Sequence, residues 1–349
     1  MYRKLTSSIK DVDAIMITSP HNLRYFTKFS GGEGVALITK NQQFLFVDSR
    51  YTYAASKEAD EFQVIEFGSG ERNKKIYEKL QGCKAVAIEE RYLTLEEYFS
   101  YKDSFETIQL TGKSAEIEKI RMIKTEEELS FLRKAEEIGI EAFLSVLKRL
   151  KVGMTENEVA AEIEYQMRKS GSEGTSFDTI VVSGYKSAMP HGVPDNKKLE
   201  LGDFVTMDFG CKYKGYCSDM TRTVVMGRAS NEQKKIYETV LKAQAAGLDA
   251  IKSGIKCSDA DKAARDVIDE NGYGKYFGHS LGHGVGLLIH ELPNLSPKCE
   301  IELCENMIVT CEPGIYIPDF GGVRIEDMVC VKENGVENFT NLTKELIEV

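Results

Sequence analysis

The segment Gly282-His283-Gly284-Val285-Gly286-Leu287-Leu288-Ile289-His290-Glu291 constrains this chain more than any other. A histidine set among glycines, with a second imidazole seven positions on, is poor core material and needs polar partners. Acidic residues stand on both sides to supply them. Val205-Thr206-Met207-Asp208-Phe209-Gly210 and Ser218-Asp219-Met220-Thr221-Arg222-Thr223 lie upstream. Cys311-Glu312-Pro313-Gly314-Ile315-Tyr316 and Val323-Arg324-Ile325-Glu326-Asp327 lie downstream. Each acid is embedded in a short apolar run with the length and composition of a β-strand. Asp208, Asp219, His283, Glu312 and Glu326 are therefore candidate ligands of a metal centre built on a sheet. The bland alternative is that each acid is a separate surface or turn residue.

The spacing supports pairs. Asp208 and Asp219 flank Cys211-Lys212-Tyr213-Lys214-Gly215-Tyr216, a glycine-bearing turn, and their midpoint falls between Tyr213 and Lys214. A regular hairpin would set them directly opposite, with Cβ atoms about 4.5–5.5 Å apart. Glu312 and Glu326 flank Ile317-Pro318-Asp319-Phe320-Gly321-Gly322, with their midpoint at Asp319. A bulge at any of these glycines would shift the register. Facing carboxylates in an apolar sheet are destabilising unless a cation lies between them. Two such hairpins suggest a pseudo-symmetric sheet with a metal cluster across its middle. Four carboxylates balance two divalent ions, and ions about 3.5–4 Å apart acidify a water between them. Oxygen donors with one imidazole suit manganese, cobalt or ferrous iron better than a thiolate zinc site.

At 349 residues the chain is longer than one core usually supports, so two domains are expected. Residues 1–112 alternate strand-like runs with amphipathic helical stretches, which implies a smaller α/β domain. There, Gly31-Gly32-Glu33-Gly34 reads as a turn and His21 as a loop residue. Residues 113–124 become charged and helical and mark a linker. Thr125-Glu126-Glu127-Glu128, Thr155-Glu156-Asn157-Glu158 and Ser230-Asn231-Glu232-Gln233 are capping boxes that open long helices, and a fourth helix runs from Ala260 to Glu270. The strands carrying the acids lie between them, so 125–349 reads as α+β, a sheet backed by helices. A net charge of −10 argues against nucleic acid and anionic membranes as partners. No apolar stretch approaches ~18 residues and no signal-peptide core follows Met1, so a cytoplasmic protein is expected. The eight cysteines include no C-x-x-C pair and read as reduced thiols.

These motifs resemble the metallopeptidases of the aminopeptidase P, prolidase, methionine aminopeptidase and creatinase group, most strongly from Val181 to Val331. The resemblance implies a C-terminal pita-bread catalytic domain preceded by a creatinase/prolidase-type N-terminal domain. It implies two divalent ions per subunit, manganese first and cobalt, ferrous iron or zinc as alternatives. Asp208, Asp219, His283, Glu312 and Glu326 would bind them, with Asp219 and Glu326 bridging and Glu312 placed to accept a proton. His191, in Met189-Pro190-His191-Gly192, matches a histidine near the substrate and leaving group. His290 matches the histidine that holds the substrate carbonyl or shuttles a proton. His279 and Arg324 match substrate-contacting positions. Blander alternatives are a loop histidine for His191, a core histidine for His279, and a strand salt bridge from Arg324 to Asp327 or Glu326.

The activity implied is hydrolysis of the bond between an N-terminal residue and a following proline, whose nitrogen carries no hydrogen and defeats general proteases. Prolidase-like relatives often carry an arginine after the His-Glu pair for a dipeptide's carboxylate. Here that neighbourhood reads Leu292-Pro293-Asn294-Leu295. The expectation is therefore a Xaa-Pro aminopeptidase, with a Xaa-Pro dipeptidase as the alternative, in a homodimer by resemblance. A non-catalytic binding module of the same fold is the reading from another class. Relatives that serve as binding modules have lost the ligands, whereas all five ligands and both flanking histidines are present here and the charge is acidic; the ligands also set the chain apart from creatinase, which lacks them.

Overall fold

The computed structural model describes residues 2–349, and the chain divides into two compact units between Arg121 and Met122. The first contains α1 (Tyr2–Ser8), β1 (Ala14–Ile17), α2 (Pro20–Thr27), β2 (Val35–Thr39), β3 (Gln43–Asp48), α3 (Thr52–Glu58), β4 (Gln63–Phe67), α4 (Arg72–Lys79), β5 (Ala85–Ile88), α5 (Leu95–Ser104), β6 (Gln109–Gly112) and most of α6 (Ser114–Met122). Its six strands lie in the order β4-β3-β2-β1-β5-β6. The central pairs are antiparallel, whereas β3–β4, β1–β5 and β5–β6 are parallel. Parallel neighbours require crossovers, which the helices provide. Ile76, Leu80, Tyr101 and Phe105 pack on Met16, Leu37, Phe46 and Val86. The segment expected as a linker is mostly α6, whose Ile117 is fully buried.

The second unit contains α7 (Glu126–Leu147), α8 (Glu156–Lys169), β7 (Gly174–Thr175), β8 (Ile180–Ser183), β9 (Phe204–Phe209), β10 (Cys211–Tyr213), β11 (Tyr216–Cys217) and β12 (Met220–Val225). It continues with α9 (Asn231–Ala250), α10 (Cys257–Glu270), β13 (Gly282–Gly284), β14 (Glu291–Leu295), β15 (Ile308–Cys311), β16 (Gly314–Ile317), β17 (Gly321–Arg324), β18 (Asp327–Lys332) and β19 (Gly335–Asn338). Thr125, Thr155 and Ser230 each cap their helix, accepting from the third helical N–H while Glu128, Glu158 or Gln233 reaches back. A further box, Thr94 with Glu97, opens α5. Among the described residues no helix is long and apolar enough to cross a membrane.

Alternation along the strands separates core from site. Val205, Met207 and Phe209 of β9, with Met220 and Val224 of β12, pack on Ile138, Phe143 and Ile163 of α7 and α8. Val309 and Cys311 of β15, Val323 of β17 and Val329 of β18 pack on Ile236, Val240 and Ala264 of α9 and α10. Each such aliphatic or aromatic side chain contributes roughly 1.5–3 kcal/mol when fully buried. The opposite phase of the same strands carries Asp208, Thr221, Thr310 and Arg324. Glu326 joins the two halves, its N–H donating to the Thr221 carbonyl at 3.2 Å.

The two hairpins differ in register. In the second, Cys311 faces Asp327 and Gly314 faces Arg324, so Glu312 and Glu326 fall opposite one another with Asp319 (φ 63°) in the turn. In the first, Asp208 faces Thr221 and not Asp219. Tyr213 pairs with Tyr216, leaving Lys214 and Gly215 as the two turn residues with φ 51° and 80°. Positive φ at both positions matches the twist of antiparallel strands. Gly215 thus draws the turn centre one residue later than expected. The register moves by two, and Asp219 keeps its face while losing its place opposite Asp208.

Candidate metal centre

His283, on β13, stands between two close backbone approaches. A Cβ at Gly282 would lie 2.0 Å from the Thr310 carbonyl oxygen, and one at Gly284 would lie 2.4 Å from that of Leu292. The glycines therefore let neighbouring chain close on the imidazole from both sides. Its Nδ1 lies 3.1 Å from the Gly284 carbonyl, which can only accept, so Nδ1 carries the proton and Nε2 offers its lone pair. Nε2 sits 3.4 Å from Asp219 Oδ2 and 3.4 Å from Glu312 Oε1. Burial pushes the His283 pKa down and keeps the ring neutral.

The acids assemble around it. Ligand atoms of Asp219, His283 and Glu326 all lie within 4.8 Å of one another. Thr310 ties the cluster together, accepting from His283 N–H at 3.0 Å and donating to Glu312 Oε1 at 2.9 Å. Thr221 donates to Glu326 Oε2 at 2.6 Å. Burial, then the neighbouring carboxylates, raise Asp219 and Glu326 well above the ordinary range. Burial likewise lifts Glu312 to about 7. Behind them, fully buried Glu136 accepts from Asp219 N–H at 3.3 Å, and Arg222, paired with Asp327 at 2.8 Å, donates to the Glu326 carbonyl at 2.6 Å.

Arg324 is the cation of this cluster. It donates from Nη2 to Asp208 Oδ2 at 2.6 Å, from Nε to Thr221 Oγ1 at 3.0 Å and from Nη1 to Tyr316 Oη at 2.9 Å. Its ion pair is thus with Asp208, neither with Asp327 nor with Glu326. His279 Nδ1 lies 2.8 Å from the Ser280 carbonyl and Nε2 lies 2.9 Å from Tyr316 Oη. Burial lowers the His279 pKa to about 4, so Nδ1 donates, and Tyr316 relays the Arg324 hydrogen bond onto Nε2. Asp208 Oδ1 is buried with no hydrogen-bond partner. An orphaned carboxylate oxygen beside three acids and a neutral imidazole is what a cation would satisfy, so the residues fit a divalent metal.

A cavity of about 590 Å³ opens over the cluster. All nine expected residues, His191, Asp208, Asp219, His279, His283, His290, Glu312, Arg324 and Glu326, line it, as does Asn294. His191 and His290 are exposed. The His290 ring, open to solvent on one side, meets that of His283 edge-on at 4.4 Å, and the partial desolvation of its covered side, then His283, lower its pKa.

Residues 130–333 match metallopeptidase family M24, and 6–123 match the creatinase/prolidase N-terminal domain. The chain belongs to metallopeptidase family M24. It is 40% identical over 337 residues to a Xaa-Pro dipeptidase of Pyrococcus furiosus, covering 96% of this chain and 95% of that one. In structure it is similar to a Xaa-Pro dipeptidase from Bacillus anthracis (TM-score 0.97, 42% identity, 99% and 98% covered). It is also similar to an X-Pro aminopeptidase from Thermotoga maritima (TM-score 0.92, 40% identity, 97% and 98% covered). The M24 catalytic unit is the pita-bread fold expected from the motifs, a metal-dependent hydrolase scaffold. Thr221, Thr310, Tyr316 and Glu136 organise this M24 site without having been candidates. Thr221 and Thr310 share one signal, each lying two residues from an acid, Asp219 and Glu312.

Proposed function

We propose that this M24 chain is a Xaa-Pro dipeptidase that cleaves between a first residue and a C-terminal proline. The observation that carries the proposal is the meeting of the five ligands with His191 and His290 in one cavity. Similarity to dipeptidases over almost the whole chain supports the dipeptidase over the aminopeptidase expected from Asn294.

Asp208, Asp219, His283, Glu312 and Glu326 would hold two divalent ions, manganese first among the candidates. Such ions, when bound, polarise a carbonyl and lower the pKa of water. Glu312, beside the point of attack, would take a proton from the attacking water and return it. His290, kept neutral, donates to the substrate carbonyl as negative charge develops there. His191 faces the proline side and serves the departing nitrogen. Arg324 and His279 hold Asp208 and Tyr316 in place at the cavity wall.

One observation favours the aminopeptidase as second reading. Among the described residues lining the cavity, Arg324 is the only lysine or arginine, and Asp208, Thr221 and Tyr316 engage it. A dipeptide's terminal carboxylate would fall to the imidazoles. Hydrolysis of Ala-Pro and Ala-Pro-Ala by manganese-loaded protein, with a chelator control, separates the readings. Fast, chelator-sensitive cleavage of Ala-Pro with slow tripeptide turnover is expected. The reverse preference establishes the aminopeptidase, and no cleavage of either removes the Xaa-Pro assignment.

A further inference from the structure

Loop 189–197 supplies Pro190, His191, Gly192, Val193 and Pro194 to the cavity wall. Because His191 is exposed, the backbone of this loop decides where its ring can reach. That backbone is gripped from beneath. Glu156, fully buried in the first turn of α8, accepts from Ser183 N–H at 2.7 Å, Ser183 Oγ at 2.8 Å and Asp195 N–H at 3.3 Å. It also accepts from Lys186 Nζ. Lys186, itself buried, donates onward to the Val193 carbonyl at 3.0 Å and pairs with Asp195 at 2.8 Å. The first N–H groups of α8, those of Glu156 and Asn157, donate to the carbonyls of Lys197 and Asp195, each at 3.0 Å. On the other side of His191, Gly192 N–H closes a turn onto Met189 O at 3.0 Å, and Arg324 Nη1 reaches Pro190 O at 3.4 Å.

We propose that the buried Glu156–Lys186 pair is a positioning device that sets His191 over the metal centre. A purely structural role would not need these charges, since well-packed apolar residues serve a core as well as a buried ion pair does. What an apolar pair lacks is the donors and acceptors that fix Val193 and Asp195 two and four residues beyond His191. Misplacing a catalytic group by about 1 Å costs up to ~100-fold in rate, so the device is worth testing through rate.

This role rests on the peptidase reading. The experiment is a cycle on metal-loaded full-length protein, using whichever of Ala-Pro and Ala-Pro-Ala the wild type cleaves. Glu156→Gln with Lys186→Met removes both charges together, avoiding an orphaned ion. Expected are a kcat lower by about 10- to 100-fold, unchanged bound metal, and less than about a twofold further loss when the pair is placed on His191→Ala, because coupled residues are non-additive. Equal fold-losses in both backgrounds, or loss of metal, overturn the positioning role. If the double variant does not fold, Asp195→Asn at the exposed end of the network takes its place, with a smaller loss that again vanishes on His191→Ala. A wild type that cleaves neither peptide overturns the peptidase reading itself, whereas an active wild type with additive losses overturns only the positioning role.

Discussion

Thr221 carries no charge, yet its hydroxyl donates to Glu326 at 2.6 Å and accepts from Arg324 at 3.0 Å. Thr221→Val removes both contacts at little change in volume. Outer contacts of this kind are worth about 10- to 100-fold in metal affinity, so competition with a chelating dye is expected to show a loss in that range. Unchanged affinity would make Thr221 an ordinary strand residue. A second expectation concerns protons. Asp219, Glu326 and Glu312 have raised pKa values in the metal-free protein, so an incoming cation must displace protons from them. Metal binding should therefore release protons and weaken steadily from pH 8 to pH 6, as titration in buffers of different ionisation enthalpy will show. The clustering of Asp208, Asp219, Glu312 and Glu326 was legible because acids inside apolar runs need a reason. Thr221, Thr310 and Tyr316 were not, because hydroxyls at alternate strand positions are ordinary.

At the scale of elements, spacing carries most of the information. The midpoint at Asp319 set Glu312 opposite Glu326, as the strand register has it, and the capping boxes announced α7, α8 and α9. The register of the first hairpin was not legible, because it depends on the φ values that Lys214 and Gly215 adopt together. That hairpin offers a direct test. A Cβ at Gly210 would lie 1.8 Å from the Ser218 carbonyl oxygen, between the strands that carry Asp208 and Asp219. Gly210→Ala should destabilise by about 1–3 kcal/mol, as overpacking does, and should lower bound metal by spreading the two aspartates. Ser230→Ala, which removes only the cap of α9, should cost about 1 kcal/mol and leave bound metal unchanged. Chemical denaturation with metal analysis distinguishes the two.

For the whole molecule, metal and pH are coupled through stability. Glu136 is raised to about 8 and Glu312 to about 7, both by burial. The folded metal-free protein holds protons there that the unfolded chain releases near the ordinary glutamate value. Their contribution is complete below that value and is lost as pH rises through 7 to 8. Chelator-stripped protein should therefore melt at lower temperature at pH 8 than at pH 5.5, and manganese should restore stability at pH 8 by binding the native state alone. A calorimetric scan at both pH values checks this. The central claim, that five side chains on or flanking the strands of this unit hold two ions that hydrolysis requires, is tested most directly by equilibrium dialysis. Stripped protein is dialysed against manganese at pH 8, and bound metal per chain is read alongside Ala-Pro and Ala-Pro-Ala cleavage. The account predicts two ions per chain and activity that rises with occupancy. Fewer than two ions at saturation, or full activity in the stripped protein, would contradict it.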